Sequence, residues 1–162
     1  MQDGKSFIVR VYGLMVNPFE ELLVAEEFHY NTFMRKFPGG GLQFGEGPVE
    51  CLRREMMEEL QLDVEVGDHL HTTDFFVESA FNSNHQVLAI YFLVHAPQEI
   101  YSKFREEYVL PSTNGEERFR WVKVNELGGL EFTFPVDKKA KEIFLKYCNS
   151  KKINWTSTEE SA

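Results

Sequence analysis

The chain has 162 residues, 43% hydrophobic and 27% charged, which suits one folded unit with a proper core and excludes a disordered chain. Its 26 acidic against 17 basic residues give a net charge of −9, which argues against a nucleic-acid polymer as partner and means that a phosphorylated ligand needs cations to approach. Cys51 and Cys148 stand too far apart for a zinc or redox motif and fit a cytoplasmic setting, while the lack of a signal core or bilayer-length apolar run predicts neither secretion nor a membrane span.

In chain order, residues 7–16 and 21–28 are rich in β-branched and aromatic side chains and flank Asn17-Pro18, a turn signal, so they read as a hairpin. Pro48 to about Leu60 has helix-forming composition, with Gly47 as N-cap and Pro48 at the first helical position. Strand-like runs follow at 64–66, 70–78 and 86–95, the last two flanking a turn at Asn82-Ser83-Asn84, and another lies at 118–124. Val136, Ala140, Ile143, Phe144 and Tyr147 recur at helical spacing within 136–148 and predict an amphipathic closing helix. Nothing divides the chain, so residues 1–150 are expected to form a single domain and 151–162 a frayed polar tail. The expected class is α+β, with helices on both faces of a mixed central sheet.

The stretch PGGGLQFGEGPVECLRREMMEELQ, residues 38–61, carries the chemistry. On a helix Glu55, Glu58 and Glu59 fall within an arc of roughly 100°, beside an apolar stripe of Val49, Leu52, Met56 and Leu60. Like charges so close are unfavourable unless neutralised, and Mg²⁺ takes a few carboxylates while bridging to substrate phosphates. The bland alternative is a solvated helix face. Gly39, Gly40 and Gly41 fit neither a Walker loop nor a dinucleotide fingerprint, but they let backbone groups approach a ligand, and a carbonyl there would complete a metal shell.

Gly40, Glu46 and Arg54-Glu55-Met56-Met57-Glu58-Glu59-Leu60-Gln61-Leu62 resemble the Nudix box, G-x5-E-x7-R-E-U-x-E-E-x-G-U, with U a bulky aliphatic residue. Gln61 departs from it, standing where the family has a glycine that commonly provides a left-handed turn. The resemblance extends more weakly over about residues 6–148 and implies the Nudix α/β/α sandwich. It also implies hydrolysis of a nucleoside diphosphate linked to another moiety, by attack of water on phosphorus. Glu55, Glu58 and Glu59 would bind Mg²⁺, or Mn²⁺ in its place, with the carbonyl of Gly39 or Gly40 as a further ligand. Glu46 and Arg54 would support that shell. The general base is left open among Glu55, Glu58 and the loop residues Glu116 and Glu117. A sensor that binds a nucleotide-linked metabolite without turnover is the alternative, and a homodimer would be in keeping with similar proteins.

Around the box, Arg35 is the candidate for substrate contact together with Gly40 and Gly41, although Arg35 and Lys36 suit a solvent-facing strand equally well. Phe75, Phe76, Phe132 and Phe134 fit a core better than a stacking site. His69 and His71 alternate so as to share a strand face, but structural histidines outnumber ligands. Cys51 reads as a packing residue.

Overall fold

A computed structural model of the protein describes residues 4–151; the expected tail lies outside them apart from Lys151, the last residue of the closing helix. The elements are β1 (Ser6–Asn17), β2 (Glu21–His29), β3 (Thr32–Lys36), β4 (Gly39–Gly41), α1 (Pro48–Leu60), β5 (Glu65–Thr72), β6 (His85–His95), β7 (Glu116–Lys123) and α2 (Pro135–Lys151). The seven strands make one sheet in the order β3-β2-β1-β6-β5, with β4 against β1 and β7 against β2. β1 and β6 are parallel along their length and the other pairs are antiparallel, so the sheet is mixed.

The alternation of β1 explains the two cores. Val11 and Met15 point to one face, where they meet Cys51, Leu52, Met56 and Leu60 of α1. Tyr12 and Leu14 point to the other and pack with Val136, Ala140 and Phe144 of α2. Full burial of Leu52 and Met56 contributes roughly 1.5–3 kcal/mol each and fixes α1 on the sheet. The result is the α+β sandwich expected from the sequence.

The expected hairpin of β1 and β2 is a brief one. Only Val16↔Leu22 and Asn17↔Glu21 pair, after which β2 leaves β1 and runs between β3 and β7. The two strands splay apart, and the gap between them becomes a cleft. β3 and β4 escaped the sequence reading because one is five residues long and the other is three glycines with no side chain to show alternation.

Four other expectations are corrected. The runs at 64–66 and 70–78 are a single strand that stops at Thr72, because the Thr73 hydroxyl accepts the Ala89 N–H that a continuing ladder would give to a backbone carbonyl, while the Thr73 N–H still donates to the Ala89 carbonyl. Its register shifts between His69 and His71, so His69 packs edge-on to Phe92 while His71 stacks over Tyr91, neighbours that face opposite sides of the sheet. The two histidines therefore share no face. Val49, placed in the apolar stripe, is 43% exposed in the first turn of α1, and Cys51 fills the buried position instead. Phe75 and Phe76 are exposed as well, in the segment after β5, whereas Phe132 is core.

Candidate active site

Pro48 opens α1 and its C-terminus is closed by Gln61 in a left-handed conformation, φ 53° and ψ 39°. The Leu62 N–H reaches back to the Met56 carbonyl and the Gln61 N–H to the Met57 carbonyl. The turn that glycine usually provides is thus made by glutamine, whose side-chain amide donates to the Glu58 carbonyl at 3.2 Å. Helix geometry downstream of Arg54 is intact.

The other half of the site is β4. Gly39 has φ +148° and lies so close to β1 that a Cβ would strike the Val11 carbonyl; a Cβ on Gly40 would fall on the Glu55 carboxylate. Gly39 is thus required by the close approach of β1, and Gly40 by the Glu55 carboxylate of α1. The Gly41 carbonyl is already engaged, accepting from Arg54 Nη2 at 3.0 Å and from the Cys51 thiol at 3.5 Å.

Arg54 organises the carboxylates. It donates to both oxygens of Glu46, at 2.9 and 2.7 Å, to Glu55 at 3.0 Å and to Glu58 at 3.3 Å. These bonds, with the Gln43 N–H, hold the Glu46 carboxyl down at about 2 and raise the Arg54 guanidinium above its ordinary value. Glu58 is turned outward, its side chain 58% exposed. Glu59 is turned inward, and burial, then the nearby Glu117, pushes its carboxyl up to about 8. Among the described residues its Oε2 is buried without a hydrogen-bond partner.

Around Glu59 stand residues from three strands. Glu117 on β7 pairs in register with Glu27 on β2, and Lys36 at the end of β3 places its Nζ 3.2 Å from Glu27 and 3.9 Å from Glu117. Burial brings the Glu117 carboxyl up to about 7 despite that lysine. Of the two loop glutamates left open by the sequence, Glu117 joins the site; Glu116 accepts the Ser112 and Thr113 N–H groups and closes its own turn. Arg35 is not brought in. Strand alternation sets it on the face of β3 opposite Lys36, where it binds Glu26 at 3.2 Å and the Glu131 carbonyl at 2.7 Å.

The cleft between the splayed strands has a volume of about 430 Å³ and is bounded by Arg10 and Tyr12 of β1, by Glu27 and Lys36, and by Tyr30 and Phe81 near its mouth. Tyr30 and Phe81 are exposed and lie 5.3 Å apart, with Phe134 6.0 Å from Phe81. Arg10 donates through Nε to the Tyr12 hydroxyl, and among the described residues neither Nη has a protein acceptor. Sequence reasoning missed Arg10; its signal was a lone cation inside an apolar strand, and the fold sets it directly in register with Gly41.

Among the described residues no three His, Cys, Asp or Glu side chains are gathered as a ready metal cage; Arg54 and Lys36 stand between the carboxylates instead. A divalent cation nevertheless suits the donor set. Glu59 offers a buried carboxylate oxygen with no partner, Glu55 lies against the Gly40 backbone, and Glu58 is free to swing in from solvent.

Known proteins share this fold. A MutT protein from Methanosarcina mazei Go1 is 23% identical with a TM-score of 0.64, the match covering 92% of this chain and 98% of that one. A NUDIX hydrolase from Nitrosomonas europaea is 17% identical with a TM-score of 0.65, covering 88% and 90%, and the E. coli ORF135 protein is 17% identical with a TM-score of 0.64, covering 93% and 96%. At such identities these structures establish the fold. The NUDIX domain model matches residues 7–146, from the first strand into the last helix, and the chain belongs to the Nudix family.

Proposed function

We propose that the protein is a Mg²⁺-dependent hydrolase that cleaves the pyrophosphate linkage of a nucleoside diphosphate derivative, with Mn²⁺ as a substitute cation. The observation that carries this reading is the buried, partnerless Glu59 Oε2 beside Glu55 at the glycine strand, next to a cleft edged by two cations and aromatic rings.

Glu55, Glu58 and Glu59 would hold the metal with the Gly39 carbonyl, and when bound it would supply charge neutralisation and a water of lowered pKa. Arg54 and Glu46 keep Glu55 oriented by the hydrogen bonds already in place. Tyr30, Phe81 and Phe134 offer surfaces on which a base can stack, and Arg10, with free Nη groups, faces the phosphate chain. Glu117 is suited to hold the proton of the attacking water, since burial brings its pKa to about 7 and no backbone donor engages it among the described residues. A charge of −9 makes local cations necessary for any such substrate.

The test is incubation with Mg²⁺ and a panel of nucleoside triphosphates, dinucleoside polyphosphates, nucleotide sugars and ADP-ribose, followed by product analysis. Cleavage of at least one at the pyrophosphate is expected, and its abolition by Glu59→Gln. Tight binding of one compound with no turnover of any would replace the hydrolase by the sensor.

A further inference from the structure

Lys36 is a charged group with no part in the chemistry proposed above. It is a buried lysine, its side chain 10% exposed, set where β2, β3 and β7 come together beside α1. Its ammonium contacts Glu27 at 3.2 Å and Glu117 at 3.9 Å, carboxylates that are register partners on adjacent strands, and Glu59 also raises its pKa from beyond ion-pair distance. Desolvation pulls that pKa down, but Glu27, Tyr12, Glu117 and Glu59 outweigh it, so the lysine stays charged. Without it, two partly buried like charges would face each other directly across a strand pair, with a third nearby.

We infer that Lys36 is a resident cation of the active site: it occupies the Glu27–Glu117 side, confines divalent cations to the Glu55–Glu59 side, and so makes the site take one metal ion fewer than its carboxylates would otherwise hold. This rests on the metal reading of α1 and adds a separate prediction to it. A compact ammonium with three donors can bridge two carboxylates as a divalent ion does, but it cannot be lost by chelation. It also leaves Glu117 without a metal, as a base must be.

The experiment counts Mn²⁺ per chain, without nucleotide, by calorimetry and by electron paramagnetic resonance of free Mn²⁺. Lys36→Gln should bind one ion more than the parent, and Lys36→Gln combined with Glu27→Gln should return to the parental count. Lys36→Arg, which keeps the charge, should not gain an ion. An unchanged count in Lys36→Gln overturns the inference. A parent with no affinity for Mn²⁺ defeats the metal reading of Glu59 instead, and the gain in Lys36→Gln still decides the role of Lys36. Should Lys36→Gln fail to fold, the lysine ammonium resonance of the ¹⁵N-labelled parent decides. Retention of its protection from exchange at saturating Mg²⁺ supports a resident cation, and its loss on metal addition overturns one.

Discussion

Among the described residues Arg10 is tied to the protein through Nε alone, which leaves its two Nη groups for a ligand at the point where the cleft meets the glycine strand. Arg10→Gln keeps a polar side chain but removes the guanidinium proposed to face the phosphate chain, and losing one charge-assisted contact costs about 1.5–3 kcal/mol. The KM for the cleaved nucleotide should rise at least tenfold, with kcat altered less and the thermal midpoint held within a few degrees. An unchanged KM would remove Arg10 from the substrate site. Arg35, by contrast, has its guanidinium already committed to Glu26 and Glu131, so its replacement should affect folding before binding.

At the level of elements, α1 ends where the box departs from its family. Gln61 holds φ 53°, a conformation that costs a side-chain-bearing residue about 1–2 kcal/mol, partly offset by its bond to the Glu58 carbonyl. Gln61→Gly should therefore raise the unfolding free energy by about 1 kcal/mol in urea denaturation, while hydrolysis stays within twofold because every carboxylate precedes the turn. Destabilisation would mean that the side-chain bond outweighs the backbone strain. The box helix, the long strands and α2 were legible because apolar residues recur there at regular spacing and proline or glycine marks their ends. β4 was not, since glycines have no pattern to read, and neither was the stop at Thr72, where a hydroxyl replaces a strand bond. The carboxylates of α1 could be named from their spacing. Lys36, Glu27 and Arg10 could not be assigned, because their convergence depends on strands distant in sequence and on which face each charge takes.

For the whole molecule, the buried Asp137 of α2 links stability to pH. Burial lifts its carboxyl to about 7, although the Tyr91 hydroxyl donates to it at 2.7 Å and Lys36 and Arg10 favour the charged form. Between about pH 4, the ordinary aspartate value, and about 7, the folded chain keeps a proton that the unfolded chain has lost. Its contribution is complete below that window and disappears as pH rises through about 7. Asp137→Asn still accepts from Tyr91 and has no proton to lose, so urea midpoints taken from pH 4 to 8 should decline less with pH than those of the parent. Tyr12 and Tyr91, which also face this group, titrate higher in the folded chain and are common to both proteins, as are Glu59 and Glu117. Parallel curves would show that Asp137 ionises freely. The same economy of contacts shapes the cleft, because β1 and β2 are joined only at Val16–Leu22 and Asn17–Glu21. There buried Asn17 accepts the Phe19 and Glu21 N–H groups and Arg105 grips the Glu21 carboxylate at 2.7 and 2.8 Å. That corner works as the pivot of a pair of tongs whose jaws carry Arg10 and Lys36. Each further strand pair zipped from the pivot would narrow the jaws, so the width of the cleft is written in the length of this seam rather than in α1.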